Sequence, residues 1–136
     1  MSNDTETRDR IAEGQRIRRA VLGGAYVDKG QKNVDPFSQH FLDFTVEHCW
    51  GNVWVRPGLT HKTRSMLNLA MLAAMSSWHE FEVHTRGALN NGVTREEIAE
   101  ILLQAGVYAG VPVAAEGFRR ARKAIEDWTA EQTAPA

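Results

Sequence analysis

Cysteine is nearly missing from this chain: Cys49 is the one thiol in 136 residues. A single thiol excludes an intrachain disulfide and any Cys-x-x-Cys redox or zinc pair. Runs that alternate Val or Ile with polar residues are absent, so strands have little to build on. The longest apolar run, Leu69 to Met75, falls far short of the roughly 20 residues that cross a bilayer. Excess charge is lacking too. Sixteen Lys and Arg oppose seventeen Asp and Glu for a net charge of -1, which argues against a nucleic-acid binder working by bulk electrostatics. The opening residues, MSNDTETRDR, are polar with no signal-peptide core. The expectation is a cytoplasmic protein with neither membrane nor nucleic-acid partners. At 43% hydrophobic and 24% charged the composition is ordinary for a globular chain. It reads as one all-α domain over residues 1–136, with 1–8 and 129–136 as frayed tails.

What is present is apolar periodicity of three and four residues, the mark of amphipathic helices. Thr94-Arg95-Glu96-Glu97 carries a capping box, in which hydroxyl and carboxylate satisfy exposed backbone donors. Ile98, Ile101, Leu102, Ala105 and Tyr108 then line one side up to Gly110, and Pro112 opens a further helix through Phe118, Ala121, Ile125 and Trp128. Phe37, Phe41, Phe44 and His48 mark a helix after Asp35-Pro36. Met66 to Met75 is apolar on nearly all sides except Asn68, which predicts a central, buried helix. Trp78 to Leu89 forms another, ending at Asn90-Asn91-Gly92, a C-cap and turn signal. An Arg-rich N-terminal arm ends near Gly23-Gly24. About five to six helices follow.

Three groups of residues can carry chemistry. Glu80 and His84 are four apart, so on a helix the carboxylate can orient the imidazole and raise its pKa. Such a pair suits proton transfer near neutral pH, and a surface ion pair is its plainer reading. Trp50-Gly51-Asn52-Val53-Trp54-Val55-Arg56-Pro57-Gly58-Leu59 reads as an interhelical segment with an arginine between aromatic walls. Guanidinium suits bidentate carboxylate recognition; the same tryptophans also suit core or subunit packing. Arg64 is a second candidate anion ligand, and Tyr108 and Glu116 flank the Gly110-Val111-Pro112 break. His79 and His84, five apart, point about 140° apart on a helix, and no His-Glu-x-x-His motif occurs, so no metal site is expected. Cys49 reads as a small buried hydrophobe.

The series Arg19-Ala20-Val21-Leu22-Gly23, Trp50-Gly51-x-Val53-Trp54-x-Arg56-Pro57-Gly58-Leu59, Arg64-Ser65 and Trp78-x-Glu80-x-x-x-His84 resembles 4-carboxymuconolactone decarboxylases. The likeness continues through Asn91-Gly92-Val93-Thr94-x-Glu96-Glu97-Ile98 and Tyr108-Ala109-Gly110-Val111-Pro112. The resemblance implies the alkylhydroperoxidase D-like fold, all-α and assembled as a homo-oligomer, a trimer or hexamer. The peroxidase branch of that superfamily uses Cys-x-x-Cys-x-x-x-His, and here Ser77 and Glu80 occupy the two cysteine positions. That departure points toward the decarboxylase branch.

The resemblance implies cofactor-independent decarboxylation of 4-carboxymuconolactone, a small anionic lactone, to the enol-lactone of 3-oxoadipate in protocatechuate catabolism by the β-ketoadipate pathway. Electrons left by CO2 flow through the ring double bond into the lactone carbonyl, so the substrate is its own electron sink. His84 is then the proton donor, Glu80 its orienter, and Arg56 and Arg64 are anion ligands. Trp50, Trp54 and Tyr108 shape the pocket. His79 stands where an acidic residue is more familiar in that pattern, which leaves the substrate open. Two other readings share these residues: a related small-acid lyase or isomerase on the same scaffold, and a non-enzymatic helical assembly protein.

Overall fold

Residues 2–135 are described by a computed structural model, and every regular element among them is helical. In chain order these are α1 (Ser2–Leu22), α2 (Gly24–Lys32), α3 (Pro36–Phe44), a π-helical segment (Thr45–Trp54), α4 (His61–Ala74), α5 (Trp78–Asn90), α6 (Arg95–Ala109) and α7 (Val111–Thr133). Seven α-helices among the described residues exceed the five to six expected. The arm before Gly23 is a full helix, and a short second one follows it because Gly23, at φ 92°, breaks the run. The tails expected to fray are helical at 2–8 and 129–133. None of the helices among the described residues is long and apolar enough to cross a membrane.

The chain divides after Thr60 into two compact units. In the first, α1 packs against the π segment, with α3 leading into that segment. The approach is close because two glycines meet: a Cβ on Gly51 would lie 2.6 Å from the Arg10 carbonyl oxygen, and one on Gly14 would lie 2.6 Å from the Gly51 nitrogen. Trp50 and Trp54, with rings 4.8 Å apart, fill the resulting core beside Ile17 and Val21. The Trp50–Trp54 stretch, expected as an interhelical loop, is therefore helical. Its i→i+5 winding is a rare geometry. Asp35 caps α3, accepting from the Ser38 backbone at 2.8 Å while the Ser38 hydroxyl accepts from the Asp35 backbone at 3.0 Å.

In the second unit α4 packs on α5, α5 on α7, α7 on α6 and α6 on α4, a four-helix arrangement in which α5 and α6 lie on a diagonal. Its core is Leu69, Ala73, Phe81, Ala88, Ile98, Leu102, Ala121 and Ile125. The capping box of α6 forms as expected: the Thr94 hydroxyl accepts from Glu97 N–H at 3.1 Å and the Glu97 carboxylate from Thr94 N–H at 2.8 Å. Asn91 is the C-cap of α5, and Gly92 turns the chain at φ 87°. Between α5 and α7, the Trp128 Nε1–H donates to Asn90 Oδ1 at 2.8 Å, and Arg120 meets Glu82 at 3.3 Å.

Two expectations about burial differ. α4 buries Leu69 and Ala73, but Leu67, Met71 and Met75 are exposed, so this helix has a greasy outer face. α3 buries none of its residues, and Phe37, Phe41 and Phe44 are exposed at i, i+4 and i+7.

Candidate active site

α5 presents Glu80 and His84 one turn apart, and α4 brings Asn68 to them from the neighbouring helix. Asn68 Nδ2 lies 3.4 Å from His84 Nδ1. The amide can meet either neutral tautomer, its nitrogen donating to a bare Nδ1 or its oxygen, once turned, accepting from Nδ1–H. Asn68 is the polar exception in the otherwise apolar run from Met66 to Met75, and that exception is the sequence signal for it. A half-buried amide beside a buried stripe gains from a hydrogen-bond partner, and His84 supplies one.

His84 is half-buried and Glu80 is exposed. Burial pushes the imidazole pKa below its ordinary 6.5, and the Glu80 charge, which works the other way, is the smaller influence. This corrects the raised pKa expected from the i, i+4 spacing. The carboxylate stands in water, where its field is screened. Desolvation of the ring is not screened, and it disfavours the cation. His84 is accordingly mainly neutral near pH 7.

Arg64 lies one turn before Asn68 on the same side of α4, and its Nε is buried. Next to it, Ser65 is fully buried and its hydroxyl accepts from Asn91 Nδ2 at 2.9 Å. The end of α5 is thereby tied to the first turn of α4, which holds the helix pair carrying His84, Asn68 and Arg64. Tyr108 is 86% exposed at the far end of α6, beside Glu100, Leu103, Gln104 and Val107, so it lines no core stripe as its spacing suggested.

The remaining candidates belong to the first unit. Trp50 and Trp54 are 3% and 4% exposed and occupy its hydrophobic core. Each indole buries roughly 200 Å², worth about 5 kcal/mol of gross burial at ~25 cal/mol per Å². Packing accounts for both. Arg56 follows the π segment, exposed, with its backbone N–H donating to Val53 O at 3.1 Å. Cys49 is half-buried, and burial raises its thiol pKa, which keeps it protonated and unreactive. Among the described residues no three His, Cys, Asp or Glu side chains gather as metal ligands.

Comparison with known proteins gives the following. The profile of the Carboxymuconolactone decarboxylase family matches residues 39–123. The chain is 42% identical over 126 residues to the nitrosuccinic acid decarboxylase npaB of Metarhizium robertsii, covering 93% of this chain and 88% of that protein. It is 36% identical over 118 residues to the 4-carboxymuconolactone decarboxylase of Acinetobacter baylyi, covering 87% of this chain and 88% of that protein.

Proposed function

The chain belongs to the carboxymuconolactone decarboxylase family and is a carboxy-lyase, and from that premise we propose that it decarboxylates 4-carboxymuconolactone without a cofactor, as a step of aromatic catabolism. The bond from ring carbon to carboxylate breaks and CO2 leaves. Its electron pair enters the ring, and the ring double bond shifts into a dienolate on the lactone carbonyl oxygen. A proton adds at the carbon beside that carbonyl, giving the enol-lactone of 3-oxoadipate. Charge and atoms balance with one proton taken up, and the lactone carbonyl is the only electron sink required.

The observation that carries this reading is His84, half-buried, mainly neutral, in hydrogen-bond contact with Asn68 at Nδ1 and within the field of Glu80. In this reading the bound substrate's carboxylates raise the imidazole's proton affinity, so His84 takes up a proton with the substrate. It then delivers that proton to carbon after CO2 departs. Asn68 serves both states by turning its amide: nitrogen toward neutral Nδ1, oxygen toward the protonated ring. Arg64 is the anion ligand on the same face of α4. Arg56 and Tyr108 are substrate ligands to be tested individually.

A second substrate is favoured by the 42% identity to a nitrosuccinic acid decarboxylase. There the carboxylate leaves from the nitro-bearing carbon, the nitro group takes the electron pair, and the same carbon receives the proton. The demands on His84 are unchanged. The deciding experiment measures CO2 release by the purified chain from each acid, with chelator present and no cofactor added. Turnover of the lactone in excess is expected. Turnover of nitrosuccinic acid alone replaces the first substrate by the second, and turnover of neither sinks both.

The exposed apolar faces of α3 and α4 support a further element of this reading, assembly with copies of the same chain. A water-facing stripe of Phe37, Phe41 and Phe44, and another of Leu67, Met71 and Met75, are the kind of contiguous apolar surface that interfaces cover.

A further inference from the structure

The first unit contains a cleft of about 710 Å³ bounded by α1, α2, α3 and the π segment. Small-molecule sites commonly occupy roughly 300–1,000 Å³ and combine apolar walls with a few convergent polar groups. Ile11, Val27, Leu42 and Val46 supply such walls. The charges around them are almost all committed to one another. Arg19 forks onto Asp28 at 2.8 and 3.1 Å, Arg10 takes Glu47 at 2.7 Å, and Gln39 donates to Asp43 at 2.7 Å.

Arg18 is the exception. Among the described residues it has no carboxylate within ion-pair distance. Its side chain borders both this cleft and an adjoining hollow of about 190 Å³, each shared with Gln31 and Leu42. It is half-buried, and loss of water lowers its pKa against a weaker opposing influence from Tyr26. A partly desolvated guanidinium gains most from a planar anion that takes two of its N–H donors at once. Asp43 in the same wall repels a second negative charge.

We propose that this cleft binds a small monocarboxylate with an apolar body, the carboxylate held by Arg18. None of the residues assigned to decarboxylation lines it, so ligand binding here and turnover are separable.

The test is calorimetric titration of the full chain with benzoate, with benzamide as the uncharged isostere and terephthalate as the dicarboxylate. Saturable benzoate binding is expected, with benzamide and terephthalate each weaker by about 10-fold or more. Arg18→Gln weakens benzoate by a similar factor. Gln31→Glu does the same by setting a competing carboxylate beside the guanidinium, and because Gln31 is exposed this variant keeps its fold even where Arg18→Gln does not. Gln31→Glu also retains decarboxylase turnover, whereas His84→Gln loses turnover and still binds benzoate. Undiminished benzoate binding in Gln31→Glu overturns the proposal. So does equal binding of benzamide, the absence of saturable benzoate binding, or loss of turnover together with benzoate in Gln31→Glu. Failure of the decarboxylation assay leaves these titrations unaffected, so the two readings fail independently.

Discussion

His84 lies under two opposing influences, burial and the Glu80 carboxylate, and burial is the larger. Two measurements follow from that sign. Just below pH 6.5 the unfolded chain binds the proton and the folded chain does not, so His84 contributes its full stability above 6.5 and loses it as the pH falls. Urea midpoints at about pH 7.5 and about pH 5.5 should therefore drop less in His84→Gln than in the parent chain. In catalysis, His84→Gln should cost roughly 10²- to 10⁴-fold in kcat with the fold intact; unchanged turnover removes His84 from the reaction. Asn68→Ala should cost about 10-fold, the scale of one hydrogen bond, and should also displace the pH–rate profile, which a packing defect alone would not do. For Arg56 the readout is KM: Arg56→Ala raises it or abolishes turnover if the guanidinium takes a substrate carboxylate.

At the scale of elements, local rules held where the partners are neighbours in sequence. The capping box at Thr94, the Asp35-Pro36 helix start and the Asn91-Gly92 stop need only adjacent groups, and all three form. Thr94→Ala should lower stability by about 1 kcal/mol, the ordinary cost of a lost N-cap, read from the urea midpoint. The helical winding of the Trp50–Trp54 stretch is not legible from local sequence, because it rests on a non-local contact. Gly51 lets the Arg10 carbonyl come close, and Gly14 does the same from the other side. Gly51→Ala should destabilise by about 1–3 kcal/mol, the usual range for overpacking, more than its own helix propensity would suggest. A neutral or stabilising outcome shows that the close approach relaxes freely.

For the whole molecule, the issue is what covers the apolar surface of α3 and α4. A chain of this size with aromatic and methionine stripes in water has a strong reason to associate. Sedimentation should show an oligomer for the parent chain. Phe41→Glu or Met71→Glu should shift it toward monomer, because a buried unpaired carboxylate is costly at an interface. If sedimentation is identical for both variants, those faces are not where copies meet.

The helical class, the caps, the Glu80–His84 pair and the resemblance to decarboxylases were legible in the residues alone. Periodicity, capping and motif spacing are properties of neighbours along the chain. Tertiary structure decided what depends on neighbours across helices. It set Asn68 against His84 and reversed the expected direction of the histidine's pKa. It also put Trp50 and Trp54 into a core and the phenylalanines of α3 into water. Burial is the common physical reason: hydrophobic pattern says which face of a helix is apolar, and only the packed fold says which apolar faces and which titratable groups lose their water.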